Sequence, residues 1–140
     1  MITRSASATW NGDLTGGDGT VRSHTLDHPY SFATRFGDEK GTNPDELVGA
    51  ALASCFAMAL ANDLAEAGHT PTSVDASARV HLDPDVPAIV RIDLDVEGRV
   101  PGLDADAFRE AARGAKENCP VSKALGGVEI VLGEVKLTDA

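Results

Sequence analysis

The chain of 140 residues has the length of one domain, and its aromatic content is limited to four Phe, one Trp and one Tyr. Aliphatic side chains must therefore form most of the core. The formal net charge of −10 argues against a nucleic acid or an anionic membrane surface as a partner. Because the N-terminus lacks a signal-peptide pattern and the apolar segment 47–60 is too short and alanine-rich to span a bilayer, we expect a cytoplasmic protein.

The first third of the sequence predicts three extended segments. Residues 6–10 alternate in polarity, and residues 21–25 can continue on a second strand. The glycine-rich residues 16–19 lack the Lys-Ser/Thr pair of a phosphate loop, so they predict a bend. Residues 30–36, which carry Arg35, predict the third segment.

The strongest local signal is a helix start at residues 42–46. Asn43 can cap a helix, Pro44 suits its first position, and Glu46 completes a capping-box pattern. We predict a helix from Pro44 to about residue 67 that stops at Gly68. It is apolar almost all round between residues 47 and 60, which predicts a buried central helix.

The remaining sequence predicts three strands and two helices. Strands are expected over residues 74–82 and 90–96, followed by a helix over about 104–116 and a short helix from Pro120 through residue 125. A last strand begins at residue 128, with a bulge expected at Gly133. The order β-β-β-α-β-β-α-α-β predicts an α+β fold with a mostly antiparallel sheet, as a single domain over residues 1–140.

The two cysteines, Cys55 and Cys119, are the first candidates for chemistry. Free cysteines are often merely buried apolar residues, and this interpretation stays open on composition alone. The apolar setting of Cys55 predicts a raised thiol pKa, whereas Cys119 lies at the N-cap of a short helix, where N–H groups favour a thiolate. Local chemistry therefore favours Cys119 as the more nucleophilic thiol.

Arg35 and Glu46 are candidates for activating Cys55. A guanidinium can stabilise a thiolate and donate to a peroxide oxygen, while a carboxylate holds the guanidinium in place. Ordinary roles, a rim charge for Arg35 and a cap for Glu46, stay open at this point. Glu46 and Cys55 are nine residues apart, about 180° and about 13 Å on one helix. Two copies of the helix packed antiparallel, with small residues such as Gly49 at the contact, could bring them to one site.

The sequence contains no motif for a metal site or a serine hydrolase. The four histidines lack the spacing of a zinc site, and neither cysteine has a close sequence neighbour of the same type. His24 and His28 are expected in a polar connection between strands. No nucleophile-elbow motif supports a Ser-His-Asp triad.

Two cysteine motifs together give the sequence a family resemblance. The segment GTNPDELVGAALASCFAMAL at residues 41–60 resembles the signature helix of the OsmC/Ohr organic hydroperoxide reductases, and NCPVSKAL at residues 118–125 resembles their second cysteine segment. The segments ATWNGDL at residues 8–14 and YSFATRF at residues 30–36 are similar to the OsmC branch. The resemblance covers essentially the whole chain.

The resemblance implies an OsmC-like fold, an intertwined homodimer and a role for each candidate residue. It makes Cys55 the peroxidatic and Cys119 the resolving cysteine, with Arg35 and Glu46 as the activating pair. The implied substrates are alkyl or lipid hydroperoxides, the implied reductant is a dithiol such as a lipoylated protein, and no cofactor or metal is implied. The residues that we expect to line an apolar entrance are Phe36, Leu52, Phe56, Met58 and Pro120.

Two functions other than reduction of organic hydroperoxides fit the sequence less well. A general thiol-disulfide oxidoreductase would be expected to carry a Cys-x-x-Cys motif, which this sequence lacks. A non-enzymatic stress or binding protein could keep the fold, but would not need both cysteines together with Arg35 and Glu46.

Overall fold

The computed structural model describes residues 1–139, which form two compact units, Met1–Leu47 and the segment from Val48 onward. The first unit contains β1 (Ala6–Asn11), β2 (Asp18–Ser23), β3 (Asp27–Tyr30) and the short helix α1 (Phe32–Phe36). Helix α2 (Pro44–Glu66) begins in the first unit and continues into the second. The second unit then adds β4 (Ser73–Asp83), β5 (Ala88–Arg99), α3 (Ala105–Asn118), α4 (Pro120–Ala124) and β6 (Glu129–Thr138).

The first unit is an antiparallel sheet in the order β1-β2-β3. Gly19, predicted to lie in a bend, is instead in β2, where it pairs with Trp10 on one side and Tyr30 on the other. A Cβ atom at Gly19 would lie 2.7 Å from both aromatic rings. The glycine therefore allows the two rings to contact each other across β2, with their centroids 5.4 Å apart. His28, predicted in a connection, pairs with Val21 as part of β3.

Residues 32–36 form a helical turn, so the prediction of an extended segment through residue 36 is wrong. The reason is a capping box that starts at Ser31. The Thr34 backbone N–H donates to Ser31 Oγ over 3.2 Å, and the Ser31 N–H donates to Thr34 Oγ1 over 2.8 Å. These two hydrogen bonds satisfy the backbone N–H groups of Ser31 and Thr34, which in an extended segment would have to donate to a neighbouring strand.

Both ends of α2 agree with the prediction. The Glu46 N–H donates to Asn43 Oδ1 over 2.8 Å, which caps the first turn. At the other end His69 N–H donates to the Leu64 carbonyl, Gly68 N–H donates to the Ala65 carbonyl, and Gly68 has φ of 91°. This is the Schellman arrangement, in which glycine is favoured because φ is positive.

The sheet of the second unit has the order β4-β5-β6. The β4–β5 pair is antiparallel, while β5 and β6 run parallel. The register shifts between Leu94 and Val96, where Gly133 and Glu134 of β6 face Asp95 alone. The bulge predicted at Gly133 is therefore confirmed, and Asp95 Oδ1 accepts the Glu134 N–H over 2.8 Å.

One face of α2 forms the core of the second unit. This face consists of residues spaced by four, which are buried together with apolar residues of β5 and α3: Leu52, Phe56, Leu60, Leu64, Ile92, Leu94, Val96 and Phe108. Gly49 is also buried. It packs closely on β4, since a Cβ atom at this position would lie 3.1 Å from Val80 Cγ2. Gly49 thus allows the close approach of α2 to β4 within one chain, and its predicted contact with a second copy stays a prediction.

The opposite face of α2 is exposed, so the prediction of a helix buried all round is wrong for the described chain. Ala50, Ala51 and Ser54 are exposed, and Met58 is 75% exposed. Helix α2 is longer than the apolar segment 47–60, and by length and composition alone it could cross a membrane. The core helices of soluble proteins can have the same length and composition, and one face of α2 packs in the core.

The other face of the β4–β5 pair carries ion pairs. His81 Nε2 lies 2.7 Å from Asp93 Oδ2, Arg91 Nε lies 3.2 Å from Asp93 Oδ1, and Arg79 pairs with Asp95. The hydrogen bond from His81, assisted by the Arg91 charge, holds the pKa of Asp93 below its usual value despite desolvation. The charges identify this face of the sheet as the polar one, opposite the face that packs on α2.

We predict opposite stability changes for two Gly→Ala substitutions. A Cβ atom at buried Gly98 would lie 2.5 Å from two atoms of the Phe108 ring, which has no room to move within the core. Gly98→Ala should lower the free energy of unfolding by about 1–3 kcal/mol. Gly114 lies inside α3 with no atom within 4 Å of the same position, so Gly114→Ala should raise it by about 0.5–1 kcal/mol. Urea denaturation measures both, and equal effects would contradict the prediction.

Candidate active site

Cys55 and Cys119 approach each other in the second unit. Cys55 lies on α2 immediately before the core residue Phe56, and Cys119 joins α3 to α4. Both cysteines carry free thiols. Each thiol acts on the pKa of the other, and the Val121 backbone N–H acts on both. The fold therefore brings together two thiols that are 64 positions apart in sequence.

The Cys119 sulfur is held by hydrogen bonds at the start of α4, as the sequence predicted for an N-cap position. The Ser122 backbone N–H donates to Sγ over 3.3 Å, and Ser122 Oγ lies 3.1 Å from the same sulfur. Pro120 occupies the first helical position, where its missing N–H costs nothing. Cys119 itself is 0% exposed.

The two thiols differ in acidity in the direction predicted from local chemistry. Burial acts to raise the pKa of Cys119, but hydrogen bonds from the hydroxyl and the N–H of Ser122, with smaller contributions from Cys55 and Val121, lower it below the ordinary thiol value. The pKa of Cys55 is raised, chiefly by desolvation and also by Cys119, while the Val121 N–H opposes the rise. Cys119 is thus the more acidic thiol.

The less acidic cysteine, Cys55, is the more exposed of the two. Cys55 is only partly buried, whereas the sulfur of Cys119 is closed off from solvent. Cys55 is therefore the less buried of the two cysteines in the single chain. Because desolvation raises the pKa of this thiol, it needs an added positive charge to become a thiolate at neutral pH.

Arg35 is held by a carboxylate in the first unit, and that carboxylate is Asp45. Arg35 Nε and Nη2 donate to the two oxygens of Asp45, each over 3.2 Å, in a bidentate pair. The Asp45 side chain is 11% exposed and that of Arg35 is 34% exposed. The Arg35 guanidinium also lies 5.5 Å from the centroid of the Phe36 ring.

The predicted pairing of Arg35 with Glu46 does not occur in the described chain. Glu46 is exposed, and its Oε2 accepts a hydrogen bond from the Thr42 hydroxyl over 2.8 Å. The physical reason is rotation along the helix, since adjacent residues point about 100° apart and only Asp45 faces α1. Asn43 fixes this arrangement, because its Nδ2 donates to the Thr34 carbonyl over 3.0 Å while its Oδ1 caps α2.

A cavity of about 420 Å³ lies beside Arg35 in the first unit. Four of the six aromatic residues of the chain line it, together with the Arg35 side chain: Trp10, Tyr30, Phe32 and Phe36. Its size is in the range of sites that bind small organic molecules. The cavity thus combines an apolar wall with one guanidinium.

The five residues predicted to line the entrance are found in different places. Phe36 lines the cavity beside Arg35. Leu52 and Phe56 are 0% exposed and belong to the core, contrary to the prediction of an open lining. Met58 and Pro120 are exposed, and their contact with substrate stays a prediction.

Sequence reasoning missed two polar residues of these sites, Asp45 and Ser122. A signal for Ser122 was present, since a serine three residues after an N-cap cysteine places its N–H and hydroxyl toward the sulfur. Asp45 could have been separated from Glu46 only by knowing which side of α2 faces Arg35. Among residues 1–139 no group of three or more His, Cys, Asp or Glu side chains is arranged to hold a metal ion.

The chain matches the model of the OsmC-like protein family over residues 37–133. It is 50% identical over 129 residues to Peroxiredoxin OsmC of Escherichia coli (strain K12), covering 89% of this chain and 90% of that protein. Peroxiredoxin OsmC of Shigella flexneri gives the same values.

Solved structures agree with this assignment. The organic hydroperoxide resistance protein OhrB of Bacillus subtilis has a TM-score of 0.67 at 25% identity, covering 96% of this chain and 98% of that one. An OsmC-like protein of Mycoplasma pneumoniae has a TM-score of 0.74 at 20% identity, covering 98% of each chain, which supports the fold. The predicted α+β fold is thereby confirmed, and the chain belongs to the OsmC family.

Proposed function

We propose that this protein is a thiol-dependent peroxidase that reduces organic hydroperoxides to alcohols. The observation that carries the proposal is the meeting of a partly exposed cysteine, Cys55, with a buried and more acidic one, Cys119. Membership of a family that includes a peroxiredoxin at 50% identity supports the same reaction class.

The proposed reaction begins at Cys55, because it is the less buried of the two cysteines. The Cys55 thiolate attacks the distal oxygen of ROOH, the O–O bond breaks, and the alkoxide leaves as ROH after taking a proton. Cys55 is now a sulfenic acid. The Cys119 thiolate attacks its sulfur, the S–O bond breaks, hydroxide takes a proton from solvent and leaves as water, and a Cys55–Cys119 disulfide forms. A dithiol, in the family pattern a lipoylated protein, returns both residues to thiols.

Arg35 supplies the positive charge in this proposal. Desolvation and the neighbouring Cys119 both disfavour a Cys55 thiolate, so an outside cation is needed. Asp45 uses two donors of the Arg35 side chain and leaves Nη1 available to a peroxide oxygen. We assign the positioning role to Asp45, in place of Glu46.

The aromatic cavity beside Arg35 is the proposed place for the organic group of the substrate. Its apolar wall favours a hydroperoxide with an alkyl or aryl group, which would displace water from the cavity. Hydrogen peroxide has no organic group and would leave the cavity filled with water. Phe36 both lines this cavity and contacts the guanidinium. Preference for organic hydroperoxides would thus come from burial of the organic group.

We also propose that the protein forms a homodimer, with the exposed face of α2 at the interface. Ala50, Ala51, Ser54 and Met58 lie on one side of the helix and are exposed in the single chain. Small residues allow close approach of a second helix, and the exposed methionine offers apolar area to bury. Sedimentation at the mass of one chain, 14.5 kDa, would contradict this assembly.

We predict unequal effects of the two cysteine substitutions. Cys55→Ser should abolish turnover of cumene hydroperoxide with a dithiol, because no other described thiol is reachable. Cys119→Ser should react once and accumulate a sulfenic acid, trapped by a dimedone-type reagent and located by mass spectrometry. Hydrogen peroxide serves as the comparison substrate and should react more slowly. Undiminished turnover in Cys55→Ser would rule out its assignment.

We predict that the two adjacent carboxylates of α2 are not equivalent. Asp45→Asn should lower kcat/KM for cumene hydroperoxide by about tenfold or more, because a charge-assisted bidentate pair with Arg35 is lost. Glu46→Gln should stay within about threefold, since Glu46 is exposed and its side chain accepts a hydrogen bond from the Thr42 hydroxyl instead of from Arg35. Asp45→Glu should recover part of the loss. Equal losses in Asp45→Asn and Glu46→Gln would contradict the assignment, and urea denaturation of each variant separates activity from folding.

A further inference from the structure

The Ser122 side chain forms a hydrogen bond with the sulfur of Cys119. Ser122 is 8% exposed, and its Oγ lies 3.1 Å from Cys119 Sγ. Within residues 1–139 no other group forms a hydrogen bond with this hydroxyl. The Ser122 N–H donates to the same sulfur over 3.3 Å. When the Cys119 sulfur carries no proton, as in a thiolate or a disulfide, the Ser122 hydroxyl must be the donor, so one residue then provides two donors to one sulfur.

The two sulfurs of a Cys55–Cys119 disulfide would therefore be unequal. The donors of Ser122 serve only Cys119, whereas Cys55 shares a single backbone N–H, that of Val121, with Cys119. Cys119 is 0% exposed, and no added protein chain could expose it. Cys55 is the less buried residue of the pair, so we expect a thiol from solution to approach the disulfide from its side.

We propose that Ser122 is a positioning residue that gives the disulfide a fixed direction of reduction, with the external dithiol attacking Cys55 and Cys119 leaving. This inference rests on the proposed function, which supplies the disulfide and the dithiol. Disulfide exchange is faster when the departing sulfur is the more stable thiolate. Hydrogen bonds from Ser122 stabilise that thiolate as it departs.

The chemical step balances as an ordinary thiol-disulfide exchange. The first thiolate of the dithiol forms a bond to Cys55 Sγ, and the Cys55–Cys119 bond breaks with its electron pair moving to Cys119 Sγ. The second thiolate of the dithiol then attacks its own mixed disulfide and releases Cys55. The dithiol is oxidised to a disulfide, and the protein gains two electrons.

The same contacts would serve the earlier step of the cycle. A Cys119 thiolate held by Ser122 is the nucleophile that condenses with the Cys55 sulfenic acid. Thiol acidity thus increases the thiolate available for that attack and later favours departure of the same sulfur. Ser122 acts on both steps through Cys119 and does not need to touch substrate or reductant.

Mapping the first mixed disulfide tests the direction. Wild-type protein is oxidised with cumene hydroperoxide, mass spectrometry checks the loss of two hydrogens, and 2-mercaptoethanol is added as a single-thiol probe. Early samples are quenched with N-ethylmaleimide at mildly acidic pH and digested. We expect mercaptoethanol on Cys55 and maleimide on Cys119. Mercaptoethanol on Cys119 would overturn the inference while leaving the peroxidase intact, whereas failure to form the disulfide would overturn both.

Variants at Ser122 test its role separately. In Ser122→Ala the oxidised protein should be reduced by mercaptoethanol about threefold to tenfold more slowly, because the leaving thiolate loses a hydrogen bond. In a Cys55→Ser background the same change should shift the thiolate absorbance of Cys119 to higher pH, and Ser122→Thr should restore it. Ser77→Ala, exposed on β4, is the matched control and should change neither. An unshifted Cys119 titration in Ser122→Ala would overturn the role of Ser122.

Discussion

Burial of one face of α2 determines where the chemistry of this protein can occur. Leu52, Phe56, Leu60 and Leu64 repeat every four residues and fill the core beneath β5 and α3. Because Phe56 is fixed in that core, Cys55 is fixed at its edge, next to Cys119. Rotating α2 by one residue would move Cys55 by about 100° and expose several large apolar side chains. The hydrophobic core therefore determines the meeting of the two thiols.

Acidity and exposure to solvent are hard to combine in a single cysteine, and here each of the two cysteines has one of these properties. A sulfur surrounded by donors is acidic but hidden, as at Cys119, and a reachable sulfur on an apolar helix is weakly acidic, as at Cys55. In the proposed cycle, this separation lets the acidic thiol serve as resolving nucleophile and leaving group, while the less buried thiol meets substrate and reductant. The same proposal makes Cys55 depend on a cation from outside its own helix.

Sequence reasoning succeeded where the determining contacts are local. The start of α2 at Asn43, its end at Gly68 and the capping position of Cys119 all depend on residues within four positions. It failed at residues 32–36, where aromatic and β-branched side chains suggested a strand and the Ser31–Thr34 capping box was overlooked. The family resemblance named Glu46 as the carboxylate that pairs with Arg35, one residue from Asp45, which forms this pair in the structure. Choosing Asp45 over Glu46 required the direction of a side chain, which depends on packing of α2 near α1.

The exposed face of α2 and the charge requirement of Cys55 support the same assembly. The face made by Ala50, Ala51, Ser54 and Met58 is apolar, whereas two chains of net charge −10 repel each other. Short-range apolar packing must therefore hold the proposed dimer. Covering that face would also remove water from around Cys55 and raise its pKa further. A dimer that only buried α2 would therefore inactivate Cys55 as the proposed peroxidatic thiol, so in our proposal the assembly has to supply positive charge to Cys55. Arg35, held by Asp45 beside an apolar cavity, is the guanidinium we assign to that task.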